Sequence, residues 1–317
     1  MDSVSNCTLL EVTKEQILAV RRDCNLDTQQ LNENVDILEN WCRSQDQLVE
    51  ALPYLGRNIL ERFLIKEKGS LERAKQAIDK ALAVRGMMPE FLLNEETKIT
   101  LEKFYNLFDN VLITSLPKVN PKDGTRIFLS RIMNDNFEDI NLIEKAKFTG
   151  FFLDVRMTHD YVFSDRLVFD LQHLKPSVIK LLNPIVLKKV NIFFMGAYKF
   201  KIKGIHILNA PSFFDKVFFI LKGFFEEKLV ERVNIHSSYE DLYKQISKEI
   251  LPKEYGGESM SFADLIEEWK KYLKSDVGKR IIENSKKLVS DESKRSLFKF
   301  DEEYFGLPGS FKQIKID

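Results

Sequence analysis

"KGIHILNAPSFFDKVFFILKGFFEEKLVERVNIH", residues 203–236, reads as a strand, a helix and a second short strand. "KGIHILN" (203–209) and "RVNIH" (232–236) are β-rich runs, and "FFDKVFFILKGFFEEKLVER" (213–232) between them has helical spacing. Eleven of those twenty residues are large and apolar. At about 100° per residue, Phe213, Phe214, Val217, Phe218, Ile220, Leu221, Phe224, Phe225 and Leu229 fill an arc of roughly 180°. That is wider than a core-facing helix needs, so two sides of the helix ask for apolar partners. A strand–helix–strand unit of this kind joins parallel neighbours in one sheet.

The same alternation extends back to Pro121. "TRIFLSRIM" (125–133) reads as a strand, "FEDINLIEKAKFTGFFLDVRM" (137–157) as a helix and "DRLVFDL" (165–171) as a strand. "PSVIKLLNPIVLKKVNIFFMGAY" (176–198) reads as a helix that Pro184 should kink or split. This order predicts an α/β fold, a mostly parallel sheet with helices packed on it. The first ninety residues, by contrast, read as helices only. "TKEQILAVRRDC" opens on a Thr13-x-x-Gln16 capping box, "LNENVDILENWCR" and "LVEALPYLGRNILERFLI" repeat apolar residues at three-and-four spacing, and "SLERAKQAIDKALAVRG" runs from a Ser70 cap to a Gly86 stop. "MMPEFLLNEETK" (87–98) links the two regions, and "LPKEYGG" (251–257) closes the second. Beyond it, "SFADLIEEWKKYLKSDVGKRIIENSKKL" (261–288) reads as one charged amphipathic helix begun by Ser261-x-x-Asp264, with a polar extension to Asp317. The expected division is a helical domain over 1–93, an α/β domain over 94–258, and a C-terminal helix and extension over 259–317.

Composition sets the outer bounds. Lys plus Arg and Asp plus Glu both number 48, so no whole-molecule field draws the chain toward nucleic acid, and an anionic partner must be met by a local patch. Cys7, Cys24 and Cys42 are odd in number and lack CxxC spacing, which reads as a reduced, intracellular chain without a disulfide or zinc site. The start, "MDSVSNCTLLEVTKEQ", has no basic stretch followed by an apolar one, and no run approaches the length of a membrane span. The expectation is a cytoplasmic protein with no transmembrane segment. Of 25 phenylalanines, 14 fall between Phe148 and Phe225, which concentrates aromatic material in one region, for a core or a pocket.

Enzyme chemistry finds little support. A nucleotide site on such a sheet needs a glycine-rich strand–helix turn, but the turn after the first strand is "NDNFED" and no GxGxxG or GxxxxGK occurs. His159, His173, His206 and His236 form no HExxH or i,i+4 pair, so neither metal nor cofactor is expected. GxSxG is absent, and every cysteine lies in the helical N-terminal segment. His206 and His236 sit in short strands, where packed, hydrogen-bonded histidine is the commoner explanation.

The run "KFKIKGIHILNAP" (199–211), the helix ending "FFEEKLVERVNIH" and then "ILPKEYGGE" resemble, in order and spacing, the lipid-binding domain of the CRAL-TRIO family, which includes retinaldehyde-binding and alpha-tocopherol transfer proteins. The helical N-terminal region looks like the family's small leading domain, and "GLPGSFKQIKID" is similar to the endings of arthropod members. The resemblance implies a cytoplasmic, non-enzymatic carrier, transiently peripheral to membranes and monomeric. Its α/β domain would enclose one hydrophobic ligand beneath a movable gate helix. Residues 213–232 look like that gate. Phe214, Phe218, Leu221 and Phe225 then line the ligand with Phe169, Leu171, Val190, Phe193 and Phe194, while Phe213, Val217, Ile220 and Phe224 meet the membrane. On the same wheel Lys228 and Arg232 fall about 60° and 100° from Phe213, inside the apolar arc. With Lys201 they match a basic cleft that receives a phosphoinositide headgroup in the tocopherol-transfer branch, and Lys199 and Lys203 extend the patch. Where the family typically shows "FLRAR", this chain has "FLIKEK" (63–68), which weakens or alters that cleft. The implied ligand is an isoprenoid, retinoid, carotenoid, tocopherol or sterol. The alternative is a phosphoinositide-binding exchange or tethering regulator.

Overall fold

The computed structural model describes residues 7–93, 101–134 and 142–295. Its first helices begin where the sequence offers a cap. Thr13 Oγ1 accepts from Gln16 N at the head of α1 (Lys14–Asp23), Asp27 accepts from Gln30 N at α2 (Thr28–Arg43), and Ser70 accepts from Arg73 N at α4 (Leu71–Met87). The Thr13 box is closed on one side only, because the Gln16 side chain donates instead to Tyr161 O at 2.7 Å. Between these, α3 (Leu52–Lys66) bends at Gly56, whose φ of 61° leaves helical geometry. Gly86 does not stop α4, which runs on to Met87. Its lack of a side chain instead lets Ser290 O approach, 3.1 Å from where a Cβ would stand. Leu31, Leu38, Leu60, Leu64, Ile78 and Leu82 close a core between α2, α3 and α4.

The sheet has the strand order β1 (Val111–Ser115), β2 (Arg126–Ile132), β3 (Asp165–Asp170), β4 (Ile202–Leu208) and β5 (Val233–Ile235). β2 to β5 run parallel, and β1 lies antiparallel beside β2. The expected mostly parallel α/β sheet is therefore present. β1 and the preceding α5 (Leu101–Asn110) are additions, since the sequence reading places strands only after Pro121. "VLITS" is buried at every position, so it carries none of the alternation that marks a half-buried strand.

The connections follow the sequence closely, with three breaks. α6 (Leu142–His159) joins β2 to β3, and its expected start at 137–141 lies outside the described residues. The 176–198 pattern divides at Pro184 into α7 (Val178–Leu181) and α8 (Pro184–Ala197), where Asn183 Oδ1 accepts from Ile185 N (2.9 Å) and Val186 N (3.3 Å). The 213–232 pattern becomes α9 (Phe214–Leu221), a tight turn over Lys222–Phe224, and α10 (Glu227–Val230). After α11 (Tyr239–Tyr243), the 261–288 pattern splits into α12 (Phe262–Lys274) and α13 (Asp276–Ser285). Ser275 makes that last break by accepting from Gly278 N at 3.1 Å. The Ser261–Asp264 box is closed on both sides. The extension over 296–317, including "GLPGSFKQIKID", lies outside the described residues.

A buried polar node ties the helical region to the sheet layer. Arg85 on α4 donates to Asp154 Oδ1 (2.8 Å) and Oδ2 (3.1 Å) on α6, to the Tyr198 hydroxyl (2.9 Å) at the end of α8, and to Ser285 O (2.8 Å) at the end of α13. α8 is thereby fixed at its C-terminal end.

Candidate functional site: an apolar sheet face with a basic rim

Register and the two-residue side-chain period divide the parallel strands into two faces. On one face stand Leu129, Val168 and His206 in one row and Asp170 with Leu208 in the next, all buried. Helix packing explains their burial. Trp269 Nε1 of α12 donates to Thr114 Oγ1 of β1 (2.8 Å), its ring meets Phe152 of α6 at 4.3 Å, and the Tyr255 hydroxyl donates to Asp170 Oδ2 (2.7 Å). His206 and His236 join this face as a hydrogen-bonded pair, Nδ1 to Nε2 at 2.9 Å, with Arg166 Nη1 3.2 Å from His206 Nε2. Burial, then the Arg166 charge, push His206 down to about 3, so the pair is neutral packing.

The opposite face is different. Its rows read Phe128–Leu167–Ile205–Val233 and Ser130–Phe169–Ile207–Ile235. Leu167, Phe169, Ile205 and Val233 are only half-buried, as is Leu171 just beyond β3. Phe128 and Ile207 on this second face are buried, but the rest of it keeps accessible apolar surface that the first face lacks.

The helices place the predicted residues unequally. Val190 and Phe194 are half-buried one turn apart on α8. Phe193 is not: it is 0% exposed, with ring contacts to Phe91 (5.2 Å), Phe194 (5.4 Å) and Tyr198 (5.9 Å). Here it packs between α8 and residues 89–91.

On α9, Phe214 and Val217 are buried, Phe218 and Leu221 are half-buried beside them, and the Phe214 and Phe218 rings stack at 5.8 Å. Phe213 and Ile220 are half-buried flanks. Val217, of the expected membrane stripe, is 4% exposed, whereas Phe219 faces out at 69%. It stands about 240° around from Phe213 among exposed Asp215, Lys216 and Lys222.

The single-helix wheel fails beyond this point. Gly223 weakens the helix, Asn191 Nδ2 on α8 donates to Phe224 O (2.9 Å), and Phe225 is extended at φ −114°, ψ 149°. A side chain thus captures a carbonyl that the helix end leaves unsatisfied. Phe225 is consequently 43% exposed instead of sharing an inner stripe with Phe218 and Leu221, and Phe224 is half-buried at the turn. Lys228 and Arg232 no longer lie in the arc of Phe213.

Two of the three expected cleft cations still meet at the start of β4. Arg232 Nη1 donates to Ile202 O, and Arg232 O accepts from Ile205 N (2.9 Å). Next to Ile202, Lys201 Nζ donates to Lys66 O and lies 4.2 Å from the centre of the Phe163 ring. Lys68 Nζ lies 5.8 Å from the same ring. Burial first, and then the Lys66 and Lys68 charges, hold Lys201 below the ordinary lysine value against the pull of Glu67. Lys199 Nζ reaches Glu67 Oε1 (3.4 Å) and Lys203 Nζ reaches Asp123 O (3.3 Å). Lys228 stands apart on α10, exposed and paired with Glu226 Oε2 at 2.5 Å.

Residues 112–257 match the family model of the CRAL/TRIO domain. These residues are a CRAL/TRIO domain. Over 220 residues the chain is 26% identical to the alpha-tocopherol transfer protein-like protein of Mus musculus and, equally, to that of Homo sapiens, covering 67% of this chain and 63% of each relative. The chain thus spans less than two thirds of the length of these relatives. It is also similar to the crystal structure of Sfh5, at 14% identity and a TM-score of 0.42, over 73% of this chain and 88% of that one. CRAL/TRIO domains form a lipid-binding family, and no helix among the described residues is long and apolar enough to cross a membrane.

Sequence reasoning missed several residues around this CRAL/TRIO domain. Phe219 was legible, since it sits on the polar side of α9. Ile185, 70% exposed beside the Pro184 break, was equally legible from its place at a helix start. Phe163 left no local signal, since it meets Lys201 only through the fold, whereas Lys68 lies in the "FLIKEK" stretch already set beside the basic cleft.

Proposed function

We propose that the chain is a non-enzymatic carrier. It takes one small hydrophobic molecule, of the isoprenoid, retinoid, carotenoid, tocopherol or sterol class, onto the half-buried sheet face, and exchanges it at membranes when the α9 segment moves. The observation that carries this is the contrast within one sheet: Leu129 and Val168 are sealed, whereas Leu167, Phe169, Ile205 and Val233 remain accessible. Exposed apolar surface of that kind calls for an apolar occupant. The relatives named for alpha-tocopherol transfer support the same class. The carrier works as a cytoplasmic monomer that touches membranes peripherally. Organic extraction of the purified protein followed by mass spectrometry is expected to yield one lipophile per chain. Phe169→Asp should yield none while remaining folded, because a carboxylate on that face either ionises at a desolvation cost of several kcal/mol or stays protonated without a partner. Unfolding of this variant, with lipophile lost only for that reason, would place Phe169 in a packed core and remove the floor of the site.

A second reading, a phosphoinositide-binding exchange or tethering regulator, is favoured by one observation: Lys201 lies beside Ile202 at the start of β4, whose carbonyl Arg232 Nη1 binds. Lys201→Ala with Arg232→Ala should weaken binding to phosphoinositide vesicles roughly tenfold or more, at about 1 kcal/mol per interfacial cation. Raised salt should have the same effect on the parent. Vesicle binding indifferent to both would leave these cations a structural role only.

A further inference from the structure

Beneath the first residues of β2 and β3 lies a buried charge cluster whose signs do not balance. Arg126 donates to Asp160 Oδ1 from Nη2 (2.7 Å) and Nε (3.1 Å). Arg156 donates to Asp160 Oδ2 from Nε (2.9 Å) and to Asp165 Oδ1 from Nη2 (2.5 Å). Lys66 Nζ stands 3.5 Å from Asp165 Oδ2, and Arg62 Nε donates to Asp160 O at 2.7 Å. Arg62, Lys66, Arg126 and Arg156 thus confront two carboxylates, Asp160 and Asp165. Arg21 and Glu61 next to them pair with each other at 3.2 Å and leave the sum unchanged. Burial disfavours the charged form of Arg156, but Asp165 and Asp160 outweigh it and hold the group cationic. Net positive charge in a protein interior is costly unless something compensates it.

Two donors in this cluster are underused, and both face the same space. Arg156 Nη1 is buried and has no hydrogen-bond partner among the described residues. Lys66, 8% exposed, has three N–H donors and one long contact. Arg156, Lys66, Arg62, Asp160, Tyr198 and Phe200 line a cavity of about 30 Å³. A space of that size suits one or two waters or a single small ion. We propose that this cavity binds one inorganic anion of halide size, held by Arg156 Nη1 with Lys66 and Arg62. The ion offsets part of the excess charge where α3 and α6 meet the sheet, and so tightens the junction between the helical region and the CRAL/TRIO domain.

Thermal unfolding of the full chain tests this directly, with gluconate, too bulky to enter, exchanged for chloride or bromide at constant ionic strength. The midpoint is expected to rise and saturate, by roughly 2–4 °C. A midpoint indifferent to the exchange overturns the proposal. Lys66→Met removes one excess cation while Asp165 keeps Arg156, so this variant should be no less stable than the parent in gluconate and should lose the halide response. A variant that responds to halide like the parent also overturns the proposal. In crystals grown with bromide, an anomalous peak is expected within hydrogen-bonding distance of Arg156 Nη1. A water there and no bromide rejects the site, and this measurement decides the matter if Lys66→Met does not fold.

Discussion

Arg85→Met is expected to cost about 3–5 kcal/mol of folding stability, the range seen when one partner of a buried ion pair is removed. Arg85 is 4% exposed and spends its guanidinium on Asp154, Tyr198, Ser285 and Leu288. Methionine fills much of the same space but supplies no donor. Asp154 would keep only the Ser285 hydroxyl (2.6 Å) and the Tyr198 hydroxyl (3.0 Å) as neighbours for a buried charge. Urea denaturation measures the loss. Adding Asp154→Asn should recover part of it, because the uncompensated charge is then gone. An exposed pair such as Lys271–Glu268 should cost under about 1 kcal/mol when broken. A loss of that small size at Arg85 would mean water reaches the node. Because Tyr198 caps α8, the same variant frees the C-terminal end of the helix that carries Val190 and Phe194, and on the carrier reading it should also hold less lipophile.

That node was illegible in the sequence. Arg85 sits in "LAVRG" at the end of a plain amphipathic pattern, and its partners lie 69, 113 and 200 residues away. Arg156 is in the same position. What the sequence showed was local: strand runs at β2 to β5, the Ser261 box, and the split at Pro184, each set by a few adjacent residues. β1 escaped because a fully buried strand has no alternation to read. The 213–232 segment was half legible. Its apolar richness was plain and its α9 stretch formed, but a wheel drawn through 232 assumes unbroken geometry. Gly223 gave a hint of the break; the Asn191 hydrogen bond that completes it comes from another helix. The wheel also counted apolar residues as inward by default, which hid Phe219.

Phe219→Asp is expected to slow transfer of ligand between vesicles by roughly tenfold or more, since a phenylalanine entering a membrane gains about 1.5–3 kcal/mol that aspartate forgoes. The folded protein should hardly notice. Phe219 is 69% exposed, and its one ring contact is Lys222 Nζ at 4.7 Å, which an aspartate three residues earlier can replace with an ion pair. Stability should therefore change by no more than about 0.5 kcal/mol. Ligand content should also persist, because Phe214, Val217, Phe218 and Leu221 keep their inward positions. Phe213 and Ile220, half-buried on the flanks, should give smaller losses. Phe214→Asp is the opposite control: its carboxylate would replace a buried ring stacked on Phe218, so melting should come first and loading should fail with it. Midpoint, lipophile content and vesicle-to-vesicle rate, measured on one preparation of each variant, separate the two sides of α9. Equal transfer by Phe219→Asp and the parent would mean that membranes meet another surface. Loss of loading by Phe219→Asp would mean that its side chain belongs to the ligand site, and the division of α9 into inner and outer faces would fail.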